Sequence, residues 1–112
     1  MKKILRTLTA FVALAMVLPA LVSAQSFSGV VAGVVKDDQG GVLPGAAVQL
    51  LGKTGARDAT TDTEGAYRFN AVDPGAYTVA VSMSGFQGQR RENIVVAVGK
   101  QATVDVALKV GG

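Results

Sequence analysis

The stretch GAYRFNAVDPGAYTVAV, residues 65–81, decides how the chain folds. It holds two runs in which apolar residues alternate with other residues, and the triplet Gly-Ala-Tyr opens both runs. Between them lies Asp73-Pro74-Gly75, a sequence typical of a tight turn. A period of two predicts β-strands rather than helices. We therefore predict two strands here, with Tyr67 and Tyr77 at their first inward positions.

The same alternation continues along the rest of the chain. The runs with period two cover residues 31–35, 48–50, 67–69, 77–81, 94–98 and 104–108. A further run, residues 57–61, is polar and offers little to a core, so we expect it to be an edge strand. About seven strands in all predict an all-β fold.

Several connections carry the residues that specific turns require. Type I turns prefer Asp first and Gly fourth, because the Asp side chain accepts hydrogen bonds from nearby backbone amides. Type II turns prefer Pro second and Gly third, because Gly reaches positive φ without strain. Two segments fit the first pattern and two fit the second: Asp37-Asp38-Gln39-Gly40 and Asp62-Thr63-Glu64-Gly65, then Leu43-Pro44-Gly45-Ala46 and Asp73-Pro74-Gly75-Ala76. Further turns are expected at Gly85 and at Gly99-Lys100.

The aromatic residues of this stretch have two interpretations. In the first, Tyr67 with Phe69 and Tyr77 with Val79 face one interior from adjacent antiparallel strands. Each ring would then bury about 150 to 250 Å². Phe86, after the Gly85 turn, would cover the end of the core. In the second interpretation the tyrosines form a platform for a sugar ring.

The N-terminal residues have a different character. Three basic residues precede an apolar run over residues 8–22, which ends in small side chains before Gln25. This pattern predicts a secretory signal peptide over residues 1–24, cleaved between Ala24 and Gln25. The alternative is an uncleaved N-terminal anchor. The mature domain, residues 25–112, is predicted not to span a membrane.

Charge limits the classes of partner. The chain has 11 Lys and Arg and 8 Asp and Glu, but three of the basic residues precede Gln25, so the mature domain is balanced. Binding of nucleic acid depends on clustered basic residues, and we expect none here. Arg90 and Arg91 form the basic pair of the mature chain and are a candidate interaction surface. Edges are expected over residues 53–61, where Lys53, Arg57 and Asp58 would protect the strand from partners, and over residues 87–93, which contain the basic pair and Gly88. Gly88 permits a bend or bulge there.

The residue types present do not suit catalysis or metal binding. The chain has no His and no Cys, so imidazole and thiolate ligands and an imidazole-activated serine are excluded, as are disulfides. Calcium would need the acids of several turns to converge, and we expect the turn aspartates to cap backbone amides instead. We therefore predict one small core, no metal, no cofactor and no enzymatic activity.

The order and spacing of these features resemble the carboxypeptidase regulatory-like domain family over about residues 28–110. The resemblance rests on Val31, Gly33, Val35 and Asp37; Leu43-Pro44-Gly45 with Val48; Asp62 with Gly65, Tyr67 and Phe69; Pro74-Gly75 with Tyr77; and Gly85-Phe86. It implies a seven-stranded Greek-key-type β-sandwich, transthyretin-like or prealbumin-like and grouped with carbohydrate-binding-like folds. The peptidase that gave the family its name is a separate zinc domain, absent from this chain.

The resemblance also implies a setting. Similar domains follow the signal peptide of outer-membrane proteins that resemble TonB-dependent receptors, where they precede a plug and a barrel. This chain stops at Gly112, where a plug would begin, so it is either a free-standing domain or the front piece of a receptor. We expect a non-catalytic accessory or interaction domain, exported to the periplasm, outer membrane or cell surface. Its partner would be another envelope protein or domain. The alternative is a carbohydrate-binding module with a glycan ligand.

Overall fold

A computed structural model describes residues 27–111. The predicted signal peptide, residues 1–24, and its cleavage point between Ala24 and Gln25 lie outside the described residues. The described part consists of strands, turns and loops, and it holds no helix that could cross a membrane. Its strands are β1 (Gly29–Asp37), β2 (Ala47–Gly52), β3 (Gly55–Thr60), β4 (Ala66–Val72), β5 (Gly75–Ser82), β6 (Gln89–Val96), β7 (Gln101–Thr103) and β8 (Val106–Leu108).

The strands form two sheets that pack face to face, so the predicted all-β sandwich is confirmed. In sheet I, β1 is central: it pairs antiparallel with β4 on one side and parallel with β7 and then β8 on the other. Sheet II has the order β3-β2-β5-β6, and all its pairs are antiparallel. Strands that alternate between core and solvent supply the two inner faces.

The structure has eight strands where we predicted about seven, because the last strand divides at Val104 and Asp105. Here the backbone N–H of Val34 donates to Asp105 Oδ1 at 2.9 Å, so a side chain replaces a backbone acceptor. The Tyr67 hydroxyl donates to Val104 O at 2.5 Å. The backbone passes so close to Gly33 that a Cβ built there would overlap Val104 O. Gly33 is therefore needed for this close approach.

The core lies between the sheets and consists mostly of β-branched and aromatic residues. The Tyr67 and Phe69 rings meet edge to face, with centroids 6.0 Å apart. The largest fully buried side chains come from both sheets: Val31, Val35 and Leu108 from sheet I, and Val48, Leu50, Val79 and Val81 from sheet II. Phe86 is half-buried and packs against this cluster, as predicted.

The predicted pairing of the two tyrosine strands is wrong. Strand β4 lies at the edge of sheet I and pairs with β1, whereas β5 lies inside sheet II between β2 and β6. The link through Pro74 and Gly75 crosses from one sheet to the other. Gly75 has φ 153° and begins β5, so it does not take the type II conformation, whose φ is near +80°. Both strands instead find long antiparallel partners elsewhere in the chain.

The two aspartate turns form as predicted. Asp37 Oδ1 accepts the backbone N–H groups of Gln39 and Gly41 at 2.9 and 2.8 Å. Asp62 Oδ1 accepts those of Glu64 and Ala66 in the same way, at 2.9 and 3.0 Å. Gly40 and Gly65, the fourth residues of these turns, have φ of 89° and 75°. Both carboxylates therefore cap backbone amides of their turns.

The turn at Pro44 also has the predicted conformation, with Gly45 at φ 80°. The hydroxyl of Thr61 stabilises this turn. It donates to Leu43 O at 2.6 Å and accepts the backbone N–H of Ala46 at 2.8 Å. Thr61 follows β3 and is buried, with 5% of its surface exposed. The hydroxyl thus joins the end of β3 to the turn that leads into β2.

The turn at Gly85 connects to the C-terminal end of the described chain. Gly85 has φ 85°, and the N–H of Phe86 donates to Met83 O at 3.1 Å. Phe86 forms an antiparallel bridge with Val110. Residues 109–111 therefore lie against the β5–β6 connection of sheet II.

Candidate functional site

An open groove crosses the outer face of sheet II, the face turned away from the core. Its volume is about 580 Å³. We call it the outer groove. Its outward-facing lining residues come from all four strands of sheet II and the approach to β6: Ala47, Gln49, Asp58, Thr60, Ala80, Ser82, Gly88 and Arg90.

The strand register explains the shape of the outer groove. Gln49 pairs with Asp58 on one side and with Ala80 on the other, and Ala80 pairs with Arg90. One row of residues across the sheet therefore begins with the carboxylate of Asp58 and ends with the guanidinium of Arg90. The small side chain of Ala80 forms the floor of the groove between them. Three interstrand spacings of about 4.8 Å place the two charged residues about 14 Å apart. The groove thus has an acidic wall and a basic wall.

Arg90 and Arg91, the predicted basic pair, do not form one patch. Arg90 lines the outer groove. Arg91 pairs with Val79, whose side chain is buried, so Arg91 lies toward the opposite face of β6. Its guanidinium donates to Gln89 Oε1 and to Arg90 O, both at 3.3 Å. Because successive side chains of a strand point to opposite faces, adjacent basic residues on β6 are separated.

Strands β3 and β6 are the edges of sheet II, as predicted, but Arg57 has a different role from the one expected. We predicted that it protects the β3 edge from partners. Instead Arg57 Nη1 donates across the sandwich to Asn70 O at 2.7 Å, and its guanidinium lies 5.6 Å from the centroid of the Phe69 ring. Ala71, the next residue, has φ 53° at a bulge in β4. Arg57 therefore closes the side of the sandwich between β3 and β4.

Strand β6 contains a bulge, but not at Gly88, where the sequence indicated a bend. The register between β5 and β6 shifts opposite Thr78, where β6 holds one extra residue. Asn93 takes φ 58° there. Asparagine tolerates this left-handed conformation better than most residues, so Asn93 is the signal that sequence reasoning missed.

The two tyrosines do not form a sugar platform. Tyr67 is 4% exposed, and its hydroxyl is bonded to Val104 O. Burial raises the pKa of Tyr67 to about 12, and the negative charge of Asp105 adds to this effect. Tyr77 is half-buried against the core, and its hydroxyl donates to Asp73 O at 2.7 Å. Among the aromatic residues in the described range, Phe27 alone is mostly exposed, at 75%.

The acidic residues of the turns stay apart. Within residues 27–111 no group of three or more Asp or Glu residues is placed to hold a metal ion. The outer groove offers a different chemistry, since Gln49, Asp58 and Arg90 supply an amide, a carboxylate and a guanidinium. These groups suit hydrogen bonding and charge pairing with a polar ligand.

The family model of the carboxypeptidase regulatory-like domain matches residues 30–109. No curated protein sequence matches the chain at a significant level.

Solved structures with the same fold differ widely in function. The Bacillus anthracis TIE protein is 18% identical with a TM-score of 0.63, over 75% of this chain and 17% of that one. A candidate carbohydrate-binding protein from Bacteroides uniformis is 20% identical with a TM-score of 0.58, over 70% of this chain and 40% of that one. Catechol 1,2-dioxygenase from Acinetobacter radioresistens is 13% identical with a TM-score of 0.57, over 80% of this chain and 54% of that one. This chain thus spans only part of each, and the likeness concerns the fold.

Proposed function

The chain belongs to the carboxypeptidase regulatory-like domain family, and from that premise we propose that it is a non-catalytic binding module of the bacterial cell envelope. In this proposal it is exported to the periplasm or the outer membrane. There it serves as the N-terminal module of a transport protein similar to TonB-dependent receptors, or as a free-standing copy of such a module. The observation that carries the proposal is the outer groove, with Asp58 and Arg90 on opposite walls of a floor of small side chains.

The outer groove supports binding to another envelope protein or domain. Its floor at Ala47, Ala80 and Ser82 leaves room for a loop or an extended segment of a partner. Charges of opposite sign on the two walls would fix the orientation of that segment, since complementary charges contribute more to specificity and association rate than to affinity. Exposed charges are screened by salt, so the interaction should weaken as ionic strength rises.

The test compares two substitutions on the same strand. Arg90→Glu changes the charge inside the outer groove, whereas Arg91→Glu makes the same change outside it. Circular dichroism first establishes that both variants are folded. Association with an envelope fraction is then measured at low and high salt. We expect Arg90→Glu to lose association and Arg91→Glu to retain it. Equal behaviour of the two variants would contradict a role for the groove.

A carbohydrate-binding module is the second candidate. The observation that favours it is the set of hydrogen-bonding groups in the outer groove, among them Gln49, Asp58 and Arg90, which could bind sugar hydroxyls. A fold neighbour is a candidate carbohydrate-binding protein. A glycan array separates the two candidates, because specific glycan binding that is lost in Gln49→Ala would favour the sugar ligand.

Export and the receptor setting have tests of their own. Intact-mass measurement of exported material should find a chain that starts at Gln25. A chain that retains residues 1–24 in a membrane fraction would contradict cleavage. The genomic reading frame downstream of Gly112 tests the receptor setting, because a plug and barrel encoded there would support it and a stop codon would favour a free-standing domain.

A further inference from the structure

The first and last strands of the described sandwich are neighbours that run in the same direction. β1 pairs in parallel with β7 at residues 30–32 and with β8 at residues 35–37. The part of β1 that pairs with β7 and β8, residues 30–37, spans about 25 Å at about 3.3 Å per residue. The chain therefore enters this pair of strands at one end of the sandwich and leaves it at the other. We call β1, β7 and β8 the terminal clamp.

Hydrogen bonds continue along the whole terminal clamp, although β7 and β8 are separate strands. The N–H of Val30 donates to Lys100 O at 3.0 Å, before β7 begins, and the N–H of Val104 donates to Ala32 O at 2.8 Å. At the break, Asp105 Oδ1 accepts the N–H of Val34 at 2.9 Å. The carboxylate thus maintains the connection where the backbone ladder is interrupted.

The terminal clamp is also fixed to other parts of the sandwich, along one side and at its C-terminal end. On one side β1 pairs with β4, so it cannot slide past β7 and β8 without also sliding past β4. At the C-terminal end the N–H of Gly111 donates to Gly85 O at 3.0 Å, and Lys109 O accepts the N–H of Gln87 at 2.8 Å. These two bonds join residues 109–111 to the connection between β5 and β6.

This topology determines how a pulling force would act. A force applied at the two ends draws β1 toward its N-terminus and β8 toward its C-terminus, along the strand axis. The hydrogen bonds lie across that axis, so they carry the load together in shear. A force applied to both strands at the same end would instead break them one after another. Forced unfolding follows the unfolding rate, which is slow when many bonds must break together.

We propose that the terminal clamp makes this domain mechanically strong, so that it resists tension applied between residues at its two ends. This property is independent of any ligand in the outer groove.

The first test varies the direction of the force. The chain has no cysteine, so handles can be attached at introduced cysteines in the full chain. Phe27→Cys with Val110→Cys loads the clamp in shear, and Phe27→Cys with Lys100→Cys opens it from one end. Single-molecule force spectroscopy should give an unfolding force several-fold higher for the first pair. An equal or lower force for the first pair would overturn the proposal.

The second test alters the clamp in the shear geometry. Asp105→Ala removes the acceptor for Val34 and should lower the unfolding force, whereas Asp105→Asn keeps an oxygen at that position and should retain most of it. Asp62→Ala is the matched control, because Asp62 also accepts backbone amides but lies outside the clamp. A loss of force in Asp62→Ala as large as in Asp105→Ala would mean that the force follows overall stability, which would overturn the proposal.

Discussion

Residues 65–67 and 75–77 both read Gly-Ala-Tyr, but they occupy different positions in the sandwich. The first triplet completes the Asp62 turn and places Tyr67 in the core, on the inner face of sheet I. The Tyr67 hydroxyl donates to a carbonyl oxygen 37 residues away. The second triplet begins β5 in sheet II, and the Tyr77 hydroxyl bonds to Asp73, four residues away. Tyr67 is buried and Tyr77 is half-buried.

This difference shows what a local motif can and cannot specify. In both triplets the tyrosine lies near the start of a strand, which its residue type and its neighbours favour. The sheet that each strand joins depends on partners far along the chain, namely β1 for the first and β2 and β6 for the second. The following predictions test how far the two tyrosine segments differ, beginning with the largest expected effect.

Truncation of the aromatic rings should separate the two segments most clearly. Phe69→Ala and Tyr67→Ala each remove a buried ring and should lower the free energy of unfolding by about 3 to 5 kcal/mol. Tyr77→Ala should cost about half as much, because part of that ring is already in solvent. Chemical denaturation measures all three. A cost for Tyr77→Ala as large as that for Tyr67→Ala would show that the two rings contribute equally to the core.

The glycines before the tyrosines should also differ. Gly65 and Gly75 both have positive φ, so alanine at either position adds about 1 to 3 kcal/mol of backbone strain. A Cβ on Gly65 would also lie 2.7 Å from Val35 O, whereas one on Gly75 has no neighbour closer than 3.9 Å. Gly65→Ala should therefore lower the melting temperature more than Gly75→Ala. The opposite order would mean that conformation rather than space limits these sites.

Removal of the hydroxyl groups gives a smaller effect that depends on pH. Tyr67→Phe leaves Val104 O without this donor and should cost about 1 to 2 kcal/mol at neutral pH. The pKa of Tyr67 is raised from 10.0 to about 12 in the folded chain, so the neutral phenol stabilises the fold below pH 10. That stability is lost as the pH rises from 10 to 12. The advantage of the wild type over Tyr67→Phe should therefore shrink above pH 10 in denaturation measurements.

Tyr77→Phe is the control for this prediction, and it also allows the ionisation of Tyr67 to be observed alone. Tyr67 is then the one tyrosine that remains in the chain. The ultraviolet absorbance of its phenolate should appear with a midpoint near pH 12, as long as the variant is folded. A midpoint near pH 10 in the folded variant would contradict the burial of Tyr67.

Metal removal should have the smallest effect. Asp62 begins the turn before Tyr67, and Asp73 begins the crossover before Tyr77. The Asp62 carboxylate accepts hydrogen bonds from backbone amides. We expect the melting temperature to stay the same with and without a chelator. A fall of several degrees on chelation would show that the turn acids bind a cation.

The alternation of apolar residues was sufficient to predict most strands and most of the core. It placed the sixth strand at residues 94–98, whereas β6 covers Gln89–Val96, because the first half of β6 is polar and mostly exposed. The turn residues Asp37, Asp62, Pro44 and Gly45 were equally informative, because each acts within four or five residues of itself. The sheet order could not be predicted in this way. The Asp73-Pro74-Gly75 sequence is compatible with a hairpin turn and with a crossover, and only the pairing of β4 and β5 with distant strands distinguishes them.

The candidate site was predicted less well than the fold. Arg90 was named from its charge, but its separation from Arg91 depends on strand register. The outer groove itself rests on small outward residues on neighbouring strands, such as Ala47 and Ala80, which show no pattern until the strands are paired. The roles of Arg57 and Asp105 depend on partners 13 and 71 residues away.

The hydroxyl of Thr61 has a consequence for the accuracy of folding. Strand β3 is short and its side chains are mostly small or polar, so the apolar pattern does little to prevent it from slipping by one or two residues against β2. In the native alignment, Thr61 meets Leu43 O and the N–H of Ala46 together. Slipped alignments would separate the hydroxyl from both groups and leave buried polar atoms unpaired, at about 1 to 3 kcal/mol each. Faster amide exchange along β3 in Thr61→Val would reveal such alignments. Together with Arg57, which reaches Asn70 O and the Phe69 ring, one buried hydroxyl thus fixes the alignment of a strand whose apolar pattern scarcely encodes its position.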